Sequence, residues 1–119
     1  MVMKVLVVED EPLIAMLMQR TLQAWGLNIL GPVQTAEKAI AIAEETRPDA
    51  ALLDINLGRE ETSLPAADNL RDQGVPFAFV SGYQDRKLPE RFRAAPRLSK
   101  PVSDDELRRT LQSFGVFED

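Results

Sequence analysis

The chain contains no cysteine and no histidine. The first absence removes disulfides and thiolate metal sites, and the second removes imidazole general-base catalysis and His-ligated zinc. Any chemistry must therefore run on carboxylates, hydroxyls and lysine. No apolar run is long enough for a membrane span, and the run after Met1 is soon interrupted by acids, too short for a signal-peptide core. On these grounds the chain reads as cytoplasmic. Excess positive charge is lacking too: 14 Lys and Arg stand against 19 Asp and Glu, a formal net charge of -5. Nonspecific nucleic-acid binding depends on neutralising phosphates, so that balance argues against it.

What is present suits one globular unit. With 119 residues and 45% hydrophobic content, the chain can bury a core of its own, and residues 1–119 read as a single domain. No repeat, low-complexity segment or linker divides it.

Strand and helix signals alternate. Residues 3–8 form an apolar strand, followed by a helix that Pro12 opens and that runs to about Trp25 before Gly26. Met16, Met18 and Trp25, spaced helically beside Leu13, Leu17 and Leu22, read as core packing. A weaker strand at 28–32 ends in proline, and Thr35 caps a second helix that stops at Arg47-Pro48. Residues 50–54 are a third strand, 55–62 a polar loop, and a helix from about Ser63 ends near Gly74. A strand follows at 76–80, then a short one at 97–99, and Ser103-Asp104-Asp105-Glu106 is a capping box for a last helix to about Phe114. Pro89 and Pro96 confine any helix between these strands to about 88–94, held only by Leu88 and Phe92. The pattern predicts an α/β fold of three layers, with a parallel sheet covered on both faces.

Chemistry-bearing residues gather where the strands end. The first strand ends in Glu9-Asp10-Glu11, the third in Asp54, the fourth in Ser81-Gly82 and the last in Lys100-Pro101. In an open parallel sheet these ends share one edge, so the groups converge on one site.

The motifs VVEDEP at 7–12, LLDINLG at 52–58, FVSGY at 79–83 and LSKPV at 98–102 occur in the order and spacing of a known family. The whole chain resembles the receiver domains of two-component response regulators, and FVSGY is similar to the FAT GUY motif of an alphaproteobacterial subgroup. The resemblance implies a five-stranded flavodoxin-like sheet of order 2-1-3-4-5 with a short or irregular fourth helix. It implies that Asp54 is a nucleophile accepting a phosphoryl group, with Ser81 and Lys100 binding the phosphoryl oxygens. Glu9, Asp10, Asp54 and the backbone carbonyl of Asn56 would hold Mg²⁺, which relieves the repulsion of crowded carboxylates. Glu9 stands where the family commonly has Asp, and its extra methylene suits binding through a water. Glu11 reads only as a charge favourable at a helix N-terminus. Pro101 is expected to follow a cis peptide that aims Lys100 inward.

The expected function is that of a single-domain response regulator. It would catalyse its own phosphorylation and dephosphorylation without being an enzyme in the ordinary sense, and signal by phosphorylation-dependent protein binding or serve as a phosphate sink. Its donor would be a sensor histidine kinase, with the HWE type as the named candidate, or a histidine phosphotransfer protein. A downstream target protein is implied, with no nucleic acid or membrane partner. The basic residues Arg86, Lys87, Arg91, Arg93, Arg97 and Lys100, facing only Glu90, would steer an acidic partner.

One departure concerns switching. Arg97 stands three before the lysine, where most receivers carry a Tyr or Phe that turns inward, and a guanidinium is costly to bury. Tyr83 is then a candidate to shield the acyl phosphate or share the switching, and an order–disorder change over 84–96 is a second candidate. Two rivals remain to be weighed: a haloacid-dehalogenase-type phosphatase, which needs an Asp where this chain has Asn56, and a pseudo-receiver that is never phosphorylated.

Overall fold

A computed structural model of the chain describes residues 2–58, 60–82 and 88–117. Five strands, β1 (Lys4–Val8), β2 (Asn28–Val33), β3 (Ala50–Asp54), β4 (Phe77–Ser81) and β5 (Arg97–Ser99), form one sheet of order β2-β1-β3-β4-β5. Every neighbouring pair is parallel. The strands alternate with helices α1 (Pro12–Ala24), α2 (Ala36–Glu45), α3 (Leu64–Asp72) and α4 (Asp104–Ser113). The expected class and strand order are observed.

Unbroken apolar runs make β1, β3 and β4 central, because their side chains are buried on both faces of the sheet. On one face Leu6, Leu53 and Phe79 pack with Ala39 and Ala43 of α2 and Ala66, Ala67 and Leu70 of α3. On the other, Val5, Val7, Leu52 and Val80 pack with Met18 and Leu22 of α1 and Leu107 and Leu111 of α4. Thr35 and Ser103 cap α2 and α4, their hydroxyls accepting from the Lys38 and Glu106 N–H at 3.1 Å each. Gly31 lies at φ +92, where a Cβ would meet the Val33 nitrogen at 2.7 Å and the Val7 carbonyl at 3.0 Å. Only glycine permits β2 to carry its register shift against β1 there.

Two expectations need correction. Helix α1 does not bury its whole apolar set: Ala15, Met18 and Leu22 face the sheet, whereas Leu13, Met16 and Leu17 are exposed. The helix is apolar over more of its circumference than one sheet face can cover. The stretch 55–62 is not simply a polar loop. Ile55 and Leu57 are buried, Asn56 bridges Thr62 in antiparallel fashion, and Ser63 N–H donates to the Ile55 carbonyl, folding the segment back on itself. The helix expected from about Ser63 is observed: Ser63 is the capping residue of α3, without a side-chain cap bond, and the helix starts at Leu64.

Among the described residues, the expected fourth helix is a single 3-10 turn, Glu90–Phe92. Leu88 and Phe92 anchor it as the sequence suggests, with Phe92 fully buried. Its ring meets Phe77 and Phe79 edge-on at centroid distances of 5.9 and 5.4 Å, and the Arg71 guanidinium lies 4.6 Å from its centroid. Arg91 forms a two-pronged ion pair with Asp68 at 2.9 and 3.0 Å. Part of the basic stretch is thus spent within the chain. Residues 84–87, the remainder of the segment expected to be irregular, include Arg86 and Lys87 and lie outside the described residues.

Deleting the Phe92 ring should leave a cavity beside the Phe77 and Phe79 rings and cost about 3–5 kcal/mol in Phe92→Ala. Breaking the solvent-exposed Arg91–Asp68 pair in Arg91→Ala should leave stability nearly unchanged. Urea denaturation of the two variants checks the order, and a larger loss from Arg91→Ala would assign the anchoring to charge.

Candidate functional site

The strand order reverses at β1, whose neighbours are β2 and β3, and the crevice beyond the carboxyl ends of β1 and β3 is where such a sheet binds ligands. Asp54 is the last residue of β3 and only 3% exposed. Glu9 follows β1 directly, 2% exposed, its N–H donating to the Val33 carbonyl at 2.9 Å. Ligand oxygens of Glu9, Asp10, Glu11 and Asp54 all lie within 4.8 Å of one another. Gly58, at φ +79, brings the loop after β3 against this group: a Cβ there would come within 3.3 Å of Asp10 Oδ2.

Lys100 reaches in from the end of β5. Its Nζ lies 3.1 Å from Glu9 Oε1, 3.2 Å from Glu11 Oε1 and 3.2 Å from Asp54 Oδ2. The Lys100–Pro101 peptide is cis, as the resemblance implies, and so is Gly31–Pro32. Lys100 N–H donates to the Ser81 carbonyl at 2.9 Å, which ties the lysine's backbone to the end of β4.

Three carboxylates of the four-acid cluster share one ammonium, and the protonation of the group reflects it. Burial, then hydrogen bonding and charge repulsion from Glu9 and hydrogen bonding from Asp10, push the Asp54 carboxyl from 3.8 up to about 9 against the pull of Lys100. Burial works against the Lys100 ammonium, but hydrogen bonds and charge from Glu9 and Asp54 outweigh it and hold its pKa above the ordinary lysine value. The donor set is entirely oxygen, the chemistry of a hard cation, and buried acids in excess of bases leave charge for such an ion to neutralise. The residues present therefore fit Mg²⁺.

The structure brings together Glu9, Asp10, Asp54 and Lys100. Asn56 lies two residues past Asp54, at the bridge to Thr62. Ser81, 6% exposed at the end of β4, is held by a different partner: Arg97 Nε donates to its hydroxyl at 3.0 Å. Arg97 itself remains exposed. It avoids the cost of burying a guanidinium by reaching along the sheet edge, a contact the sequence did not reveal. Tyr83 lies outside the described residues. Glu11 was underestimated: besides its place ahead of α1, its carboxylate pairs with Lys100 and its N–H donates to Glu9 Oε2 at 3.2 Å. Three consecutive acids were the available signal, but nothing in the sequence says that the turn after β1 points the third one back at the lysine.

A protein-family model described as "Response regulator receiver domain" matches residues 5–112. The chain is 38% identical over 121 residues to the phyllosphere-induced regulator PhyR of Methylorubrum extorquens, covering 99% of this chain and 45% of that protein. The chain spans about half the length of the curated relatives it matches. Among solved structures, SdrG of Sphingomonas melonis Fr1 superposes with a TM-score of 0.85 at 38% identity, covering 97% of this chain and 98% of that one. A BeF3-activated conformation of SdrG, given as from Pseudomonas melonis Fr1, gives 0.78 at 38% identity, with 96% of each chain covered. The chain belongs to the response regulator receiver family, whose members generally bind Mg²⁺ at an acidic pocket. Among the described residues no helix is long and apolar enough to cross a membrane.

The raised Asp54 pKa has a consequence for metal-free protein. Unfolded, this carboxyl ionises near 3.8, so from there to about 9 the folded state holds a proton that the unfolded state lacks. Its contribution to stability is fully present below the unfolded value and is lost as pH rises through the folded one. In EDTA, melting temperature should fall more steeply over this range for wild type than for Asp54→Asn; parallel profiles would mean that Asp54 titrates normally.

Proposed function

We propose that this receiver domain accepts a phosphoryl group on Asp54 in a Mg²⁺-dependent reaction and signals through the phosphorylated form. The observation that carries this reading is the buried strand-end carboxylate of Asp54, 3.2 Å from the Lys100 ammonium and clustered with three further acids. The activation of SdrG by BeF3, named in that protein's structure, supports it.

Glu9, Asp10, Asp54 and the Asn56 carbonyl are the residues to hold Mg²⁺, which would neutralise charge on the transferring group. Asp54 acts from its ionised form: one carboxylate oxygen forms a bond to phosphorus as the bond from phosphorus to the donor's histidine nitrogen breaks, and that nitrogen leaves with the electron pair. Lys100, already beside Asp54 Oδ2, supplies a fixed positive charge for the phosphoryl oxygens, and the Ser81 hydroxyl supplies a hydrogen-bond donor. Hydrolysis of the acyl phosphate by water returns Asp54 and releases inorganic phosphate, so the mark is reversible. Such turnover makes the protein a phospho-accepting signalling component rather than an enzyme acting on an external substrate.

Because Asp54 is almost wholly buried, a macromolecular donor has to cover the rim of the site. A groove of about 580 Å³ opens there, lined by Ile14, Leu17 and Thr21 of α1 and by Lys100, Pro101 and Val102. Leu17, left exposed by the packing of α1, is part of its apolar lining. A histidine kinase, with the HWE type as the specific candidate, or a histidine phosphotransfer protein is the donor we assign to this surface. The output is binding of a downstream protein or drainage of phosphate from the kinase, in the cytoplasm and without nucleic acid.

The full set of Glu9, Asp10, Asp54, Ser81 and Lys100 disfavours an interaction module that is never phosphorylated, and Asn56 in place of a general acid disfavours the dehalogenase-type phosphatase. Incubation with acetyl phosphate and Mg²⁺ should add one phosphoryl group to wild type and none to Asp54→Asn by intact mass; equal labelling of both would place the acceptor elsewhere. Mg²⁺ should also raise the melting temperature of wild type by mass action on the folded state. The combined Glu9→Gln and Asp10→Asn variant should lose that rise, and an undiminished shift would put the metal at another site.

A further inference from the structure

We infer that Arg97 is a positioning residue for the phosphoryl group and acts through the Ser81 hydroxyl; the inference rests on the reading of Asp54 as the acceptor. Arg97 opens β5 in register with Phe79, two residues before Ser81. Leu98 turns into the core shared with α1 and α4, so Arg97 and Ser99 lie on the opposite face of this edge strand. From there the Arg97 Nε–H reaches Ser81 Oγ at 3.0 Å. With Leu88, Arg93 and Ala95, Arg97 also lines a cavity of about 400 Å³ on that face.

The chemistry of the two groups gives this contact a direction. A serine hydroxyl has one donor and two acceptor positions, whereas a guanidinium carries only donors and stays charged. The Arg97 N–H therefore occupies an acceptor position on Ser81 Oγ and leaves the O–H for an acceptor at the carboxyl edge of the sheet. Asp54 pairs with Val80 in register, and Ser81 is the next residue. A phosphoryl oxygen on Asp54 is the acceptor that completes the chain Arg97 to Ser81 to phosphoryl. Hydrogen bonding to a cation polarises the hydroxyl and makes it a stronger donor. An aromatic side chain at this position could offer neither the charge nor this arrangement of donors.

The probe is beryllofluoride with Mg²⁺, titrated into the full chain and followed by fluorine NMR. Arg97→Ala should weaken binding roughly three- to tenfold, the size of one ordinary hydrogen bond, because the arginine charge reaches the phosphoryl group only through the serine. Arg97→Gln places an N–H the same number of bonds from Cα without the charge, and should recover part of the loss. Adding Arg97→Ala to Ser81→Ala should cost nothing beyond Ser81→Ala alone, because the arginine acts through the serine. In metal-free protein the Arg97 Nε–Hε resonance should move in Ser81→Ala, a response that general destabilisation would not produce. Additive losses in the cycle, or binding by Arg97→Ala as tight as wild type, would overturn the inference and leave the Asp54 reading intact. If the alanine variant does not fold, the same cycle with Arg97→Gln decides by the same criterion. Failure of wild type itself to bind beryllofluoride would remove the Asp54 reading and this inference together.

Discussion

One ammonium group lies among three carboxylates: Lys100 Nζ is 3.1 Å from Glu9, 3.2 Å from Glu11 and 3.2 Å from Asp54. The site depends on that clasp. Without a cation, acids this close and this buried would repel one another and shed charge by taking up protons. Lys100 answers only part of that demand. The rest is met by a proton on Asp54, whose carboxyl is pushed up to about 9, or by a metal ion that replaces the proton. The site is thus held short of positive charge, and both Mg²⁺ and its own lysine are drawn to the place where a phosphoryl dianion would have to be stabilised.

The fold exists to hold this arrangement still. Leu53 and Val80, both buried, fix β3 and β4 immediately before Asp54 and Ser81, and Leu98 fixes β5 two residues before Lys100. The Lys100 N–H to Ser81 carbonyl bond at 2.9 Å then couples the lysine to the serine through backbone rather than through flexible side chains. Among the described residues between β4 and β5, the helical structure is the 3-10 turn with Phe92. Arg97 runs along the edge of β5 to Ser81, its Nε–H donor nitrogen 3.0 Å from the hydroxyl oxygen.

Much of this was legible in the sequence because it follows from periodicity and punctuation. Continuous apolar runs at 5–8, 50–53 and 77–80 marked strands buried on both faces, and prolines at 89 and 96 limited the helix between β4 and β5. Parallel pairing then required the acids, Ser81 and Lys100 to share an edge. Side-chain direction in turns was not legible. Glu11 read as a helix-end charge, yet the turn after β1 sends it to Lys100; Arg97 read as a residue excluded from the interior, yet it satisfies itself on Ser81 without entering. Nor could periodicity show how much of α1 the sheet would cover, which is why Leu13, Met16 and Leu17 were assigned to the core and are found exposed. These misses share a cause: local pattern marks the elements and their apolar residues, whereas which side chains meet at the rim depends on how the elements and turns pack.

The central claim is that Asp54, and no other acid of the cluster, becomes the acyl phosphate. Borohydride reduction tests it most directly, because it converts an aspartyl phosphate to homoserine at the modified position and leaves free carboxylates untouched. After phosphorylation in Mg²⁺, peptide mass spectrometry should find homoserine at position 54 and unmodified acids at 9, 10 and 11. Homoserine at position 10, or reduction of a glutamyl phosphate at position 9 or 11 with Asp54 intact, would contradict the assignment of the nucleophile.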